Sequence, residues 1–341
     1  MSEQSLTQPS RSNKNWRYIT VLTAFAICLV IWPVPIKNAL MFSLLGLVQV
    51  APLVVPGIIV AAWIIASGAD TLVRKAFEGR TMMTVLAASA IGAITPVCGV
   101  TVLPLMVGLL AAGVPLAPIM AFWLASPVTD PAMLATTAAT LGMPFAIGKT
   151  VGAFGLGVFG GSVTGMFSKT PWYANALRNN SLANQLSCQR CGETTSYNPR
   201  IWSEPERVQA FRKQAYATLR LILICLIPAF AAEYALNAVI TPGSIATYVG
   251  EDQWWAIPAA VFVGAPAYID GYAALPLTRA LIDNGMSAGA AMAFLVSGGV
   301  VSIWGAMAIA PVLRPKPFAL YLLLAVSGSL AVGYIFGWIM G

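Results

Sequence analysis

The 341-residue sequence reads as an all-α polytopic membrane protein. It divides into two inverted-topology repeats, each made of one helix, a broken or re-entrant helical hairpin and two further helices, with one extra N-terminal helix. Three observations carry this reading. Hydrophobic residues make up 58% of the chain and charged residues only 9%, against about 25% charged in soluble domains. Two apolar stretches, 81–113 and 254–285, are too long and too often interrupted to be single spans. Finally, the chain resembles itself at a constant offset of 172 residues.

Along the chain, a polar tail over 1–17 is expected in the cytoplasm. An extra helix with its link follows over 18–44, and because no A-x-A-like cleavage site is seen it reads as a retained span, not a signal peptide. Repeat 1 covers 45–167, with apolar segments at 39–69, 81–113, 115–142 and 144–167. A basic loop occupies 168–216. Repeat 2 covers 217–341, with segments at 216–240, 254–285, 287–311 and 317–340.

Charge sets the expected orientation. Arg11, Lys14 and Arg17 precede the first helix, Arg74, Lys75 and Arg80 follow the second, Arg178 to Lys213 fill the long loop, and Arg314 and Lys316 precede the last helix. The positive-inside rule places all four regions in the cytoplasm. They share that side only if each interrupted segment dips in and returns, giving seven spans with the N-terminus inside and the C-terminus outside. On such a chain the net charge of +7 reports topology, not nucleic-acid binding. With no histidine in the sequence, imidazole catalysis and imidazole metal ligation are excluded.

The repeat is legible residue by residue. Cys98-Gly99 lies over Asp270-Gly271, Leu103-Pro104-Leu105 over Leu275-Pro276-Leu277, Gly113 over Gly285, Met120-Ala121-Phe122 over Met292-Ala293-Phe294, and Pro56 over Pro228. After a one-residue slip, Pro144-Phe145-Ala146 meets Pro317-Phe318-Ala319. Inverted repeats with helices broken in corresponding places are the architecture of secondary transporters, whose sites form near the bilayer midplane. Backbone N–H and C=O groups freed by a break are tolerated at that depth only where they line a cavity.

The residues at the breaks are therefore the candidate substrate ligands: Thr95, Pro96, Cys98 and Gly99 in the first hairpin, and Tyr268, Asp270 and Gly271 in the second. Asp270, a carboxylate at mid-membrane, is costly unless it faces a cavity, and burial would raise its pKa into a range useful for proton exchange; capping the helix that starts at Gly271 is a compatible role. Cys98 is either a soft ligand or a small buried residue. Ser126 and Asp130, in "SPVTDPAML", sit at a third interruption. They can line the same cavity, or Asp130 can cap the helix starting at Pro131. Asp130 and Glu233 join Asp270 as candidates for proton coupling. Arg279 and Asp283, at i and i+4, are expected to form an ion pair that steadies the hairpin or gates its outer end. Lys149 is expected to snorkel outward.

In the long loop, Cys188 and Cys191 form a C-x2-C pair, half of a four-thiolate zinc site that a homodimer can complete. No other cofactor is implied. The chain lacks a phosphate-binding G-x4-G-K-[ST] loop, which favours coupling to a proton gradient. A passive channel of the same architecture would need no protonatable centre. A lipid-modifying enzyme is disfavoured by the absence of histidine and of a tight acidic or Ser/Lys constellation.

At "PVCG…LPL…GLLAAGVPLAPIMAFWLASPVTDP" and "GAPAYIDGYAALPLTRALIDNGMSAGAAMAFLVSGG", the chain resembles the predicted permeases that include the organoarsenical efflux permeases (ArsP/YraQ-like). The resemblance covers both repeats. It implies an inner-membrane permease that exports trivalent organoarsenicals or, in related branches, soft metals such as zinc or copper. The family's first motif bears cysteine near the break, matched here by Cys98. Its second motif commonly reads P-x-Y-V-C, whereas this chain has Pro266-Ala267-Tyr268-Ile269-Asp270, so one thiol of a pair is replaced by a carboxylate.

Overall fold

The computed structural model describes residues 33–68, 81–95, 99–111, 113–129, 131–178, 197–239, 255–264, 274–301, 306 and 309–340. Every regular element among them is helical. The N-terminal half holds α1 (Pro33–Ser67), α2 (Thr81–Ile94), α3 (Gly99–Ala111), α4 (Leu116–Ala125), α5 (Pro131–Leu141) and α6 (Met143–Met166). A short α7 (Pro171–Ala174) and a 3-10 turn (Ile201–Ser203) lie in the long loop. The C-terminal half holds α8 (Pro205–Val239), α9 (Ala256–Gly264), α10 (Ala274–Asp283), α11 (Ala288–Val300) and α12 (Pro315–Met340).

By length and composition, α6 and α12 can each cross a membrane, and α1 can do so as a bent pair. The bend, 56° between Ile36–Gln49 and Val54–Ser67, flanks Pro52, which lacks an N–H and crowds the preceding turn. α1 also departs from the expected segmentation: it runs as helix through Lys37 and Asn38, where the sequence suggested a link. α8 likewise starts eleven residues earlier than the expected apolar segment at 216, drawing the end of the basic loop into helix.

The halves are assembled alike. α2 and α6 pack on α4, as α9 and α12 pack on α11. A Cβ on Gly92 would lie 2.9 Å from the Phe122 carbonyl oxygen, and one on Gly264 would lie 2.9 Å from that of Phe294. A Cβ on Gly161 would meet the Ala121 methyl at 2.7 Å, and one on Gly333 the Ala293 methyl at 2.6 Å. Each pair of positions is 172 apart, so the one-residue slip seen at Pro144 and Pro317 has closed again in the bodies of α6 and α12. Gly113 (φ 88°) and Gly285 (φ 94°) end α3 and α10 with the same turn. In it, Val114 N–H donates to Leu109 and Met286 N–H to Leu281, each at 3.0 Å. This left-handed C-terminal turn is one that glycine adopts without cost.

Corresponding helices also pack against each other antiparallel. On α1 and α8, the Phe42 ring lies 5.9 Å from Tyr234, while Ala66, at the other end of α1, accepts from the Arg207 guanidinium at 3.3 Å. On α6 and α12, Phe145 stacks 4.9 Å from Phe336, and Leu156 fills the space over Gly328. The outward faces stay apolar, with Leu44, Val48, Ile147, Val151, Leu323 and Ile335 exposed, as surfaces in contact with lipid require.

Two clamps hold the long loop to the helices. At its start, Arg178 N–H donates to Val312 and Arg314 N–H to Ala176, both at 2.8 Å, with the two guanidinium groups donating across to Leu313 and Leu177. At its end, Asn198 N–H caps the Ser67 carbonyl at 3.0 Å, and Glu204 ties Asn198 to Arg207. These bonds satisfy carbonyls that the last turn of α1 leaves open.

Candidate functional site

α4 is ten residues long, or roughly 15 Å against the roughly 30 Å of a hydrocarbon core. It starts at the bundle end, where Ala117 N–H donates to the Tyr173 hydroxyl at 3.3 Å. It stops at Ser126, because Pro127 and Pro131 cannot continue the hydrogen-bond ladder. The turn after α4 therefore lies only about 15 Å along the bundle from the Tyr173 contact.

Three other helix ends come to the same turn. Thr129, buried within it, donates to the Ala93 carbonyl at 2.7 Å and ties down the last turn of α2. Gly299, next to last in α11, packs so closely that a Cβ there would lie 2.7 Å from the Pro127 carbonyl oxygen. A Cβ on Gly298 would lie 3.5 Å from the carbonyl of Gly264, the last residue of α9. The ends of α2, α4, α9 and α11 thus converge, and residues 96–98, 130, 265–273 and 302–305, which follow them, lie outside the described residues.

A second chain of contacts closes the group. Trp123 on α4 lies 5.3 Å from the Tyr321 ring on α12, and the Tyr321 hydroxyl donates to the Val300 carbonyl at 2.5 Å. Within this shell the Trp123 indole Nε1 and the Ser126 Oγ are buried with no hydrogen-bond partner among the described residues. Most buried polar side chains find one.

Of the expected site residues, Thr95 is half-buried at the end of α2, Ser126 is 2% exposed at the end of α4, and Gly99 begins α3. Pro96, Cys98, Asp130, Tyr268, Asp270 and Gly271 lie outside the described residues, as do Cys188 and Cys191. Glu233 falls on α8, which packs on α1 and α3; its side chain is outside the described set. Arg279 and Asp283 do pair, Nε to Oδ1 at 3.1 Å, but with side chains 57% and 55% exposed. Such a pair is solvent-screened and contributes little to stability.

Lys149 corrects the sequence reading. It does not snorkel outward but is 3% exposed on the inner face of α6. Gly157 packs on Ala121 and Ala125, and two turns nearer the start of α6 Lys149 comes level with the turn after α4. Sequence reasoning also missed Trp123, Gly299 and the break after Val300. The adjacent glycines at 298 and 299, aligned with the interruption at 126–130, were the available signal.

A family model described as "predicted permease" matches residues 36–338. The chain belongs to the predicted permease family. Family membership and the apolar helices support a multi-pass membrane protein and a transporter. The permease is similar to the UPF0718 protein MJ0584 of Methanocaldococcus jannaschii, with 35% identity over 141 residues, 41% of this chain and 39% of that protein. The chain thus spans about two fifths of the length of the curated relative it matches. No solved structure matches the permease.

Proposed function

We propose that this permease is a secondary-active transporter of the bacterial inner membrane, built from two inverted repeats and working by alternating access at the point where its broken helices converge. The observation that carries the reading is that four helix ends, two from each half, come together where α4 stops, after a helix too short to span a hydrocarbon core. The antiparallel packing of α1 on α8 and of α6 on α12 supports the inverted relation. The clamps that join Arg178 to the Arg314 segment, and Arg207 to the end of α1, support one basic, cytoplasmic face, with the N-terminus inside and the C-terminus outside.

In this reading a small soft species such as a trivalent organoarsenical enters from the cytoplasm. It contacts the Cys98 thiol and the Tyr268 ring, and leaves as Asp270 takes a proton. A thiolate binds soft metalloids well, and a carboxylate beside it supplies the charge exchange that gradient coupling needs. Asp130 is the second candidate proton carrier. Cys188 and Cys191, in the cytoplasmic loop, can hold a soft metal, shared in a homodimer.

The test is uptake into everted membrane vesicles under an imposed proton gradient, with methylarsonous acid as cargo. Accumulation is expected in the native protein and is lost in both Cys98→Ala and Asp270→Asn. Accumulation that survives Asp270→Asn removes the proton-carrier role, and equilibration without accumulation makes the protein a passive channel.

A further inference from the structure

Trp123 and Ser126 occupy one face of α4, one turn apart, at the turn where the broken helices meet, and they are 1% and 2% exposed. Burying an indole N–H or a hydroxyl without a partner costs about 1–3 kcal/mol on protein scales. Two such groups on one face of one helix are unusual in a packed core. The surrounding polar groups are already engaged: Thr129 donates to Ala93, Tyr321 donates to Val300, and Lys149 is held by an interaction within the chain. Among the described residues here, what remains unused is one obligate donor, the indole N–H, and one hydroxyl that can donate or accept.

We propose that Trp123 and Ser126 are a recognition pair for an oxygen atom of the transported solute, and that the solute class is a small uncharged oxyacid. The pair carries no charge. Two neutral donors replace an anion's hydration poorly, and the Lys149 ammonium level with them is already engaged within the chain, whereas a neutral hydroxylated solute gives up little and gains hydrogen bonds. The assignment rests on the reading that the converging breaks form the substrate site. It adds to that reading a determinant on α4, separate from the Cys98 thiol.

The full-length protein labelled with 5-fluorotryptophan in nanodiscs gives the test. The 19F line of Trp123 is identified by its loss in Trp123→Phe. Two probes that are uncharged near neutral pH are titrated, methylarsonous acid and boric acid, the second having no affinity for thiols. Both are expected to shift the Trp123 line, and Ser126→Ala to weaken each by roughly three- to tenfold, the loss of about one neutral hydrogen bond. Ser126→Thr, which keeps the hydroxyl, is expected to restore binding. Ser126→Ala removes a single small atom group, and where Trp123→Phe folds poorly the Trp123 line is assigned by its loss in Trp123→Tyr instead. A Trp123 line unmoved by both probes overturns the proposal. So does a shift by methylarsonous acid alone that depends on Cys98 and not on Ser126; in that case the proposed transport still stands. A Ser126-dependent shift by both probes without gradient-driven arsenical transport keeps the recognition pair and removes the transport reading.

Discussion

The α-carbon of Gly299 faces the carbonyl oxygen of Pro127 at a distance that leaves no room for a methyl group: a Cβ there would come within 2.7 Å. This contact joins the last turn of α11 to the turn after α4, and so joins the two halves of the permease where their helices break. Its neighbour Gly298 is looser, with the nearest atom at 3.5 Å from an added Cβ. Gly299→Ala must push two backbones apart, an overpacking that costs about 1–3 kcal/mol, whereas Gly298→Ala is expected to be nearly neutral. Thermal unfolding in detergent compares their stability, and vesicle uptake compares their activity. Uptake is expected to fall at least tenfold for Gly299→Ala alone, and equal behaviour of the two variants would show that the contact is not tight in the folded protein.

Thr129 holds the end of α2 to the same turn through one buried bond to Ala93. Thr129→Val keeps the shape and removes the donor, leaving the Ala93 carbonyl with one partner fewer. A loss of about 1 kcal/mol is expected, recovered in Thr129→Ser. The readout is the midpoint of thermal unfolding for the three proteins in one detergent.

How far this site was legible in the sequence depends on which physical signal marked each part. The interruptions at 95–98, 126–130 and 265–273 were legible because proline and glycine break helices by covalent chemistry that needs no context. The break after Val300 was not, since "GGVVSIWG" contains no proline. Pro33 and Pro205, the first residues of α1 and α8, stand at the same offset of 172 as the rest of the repeat. The repeat signal was therefore present at those residues, but it fell in a stretch whose charges suggested a link. Lys149 was misplaced because a lysine near a helix start usually reaches water along its own stem, and only the packing of α6 on α4 turns it inward. The partnerless state of Trp123 depends on every neighbour at once, which no local pattern carries.

Lys149 and Lys316 should respond differently to an amine-reactive ester added to the detergent-solubilised protein. Lys149 is 3% exposed and Lys316 is exposed at the start of α12. Mass spectrometry of the modified protein is expected to find Lys316 labelled within minutes and Lys149 protected until the protein is unfolded. Equal labelling of the two would return Lys149 to the outward orientation.

Gly113 and Gly285 provide a test of the two halves against each other. Both have positive φ, 88° and 94°, and neither has an atom within 4 Å of an added Cβ, so alanine at either position meets no clash and pays only for its backbone conformation. Each substitution is expected to cost about 1–2 kcal/mol, and the double variant the sum, because neither added methyl group meets a neighbour through which the two could couple. If both turns are set by the same local chemistry, the two single variants should lower the unfolding midpoint by similar amounts. A loss confined to one of them would mean that the equivalence of α3 and α10 stops at their backbone geometry.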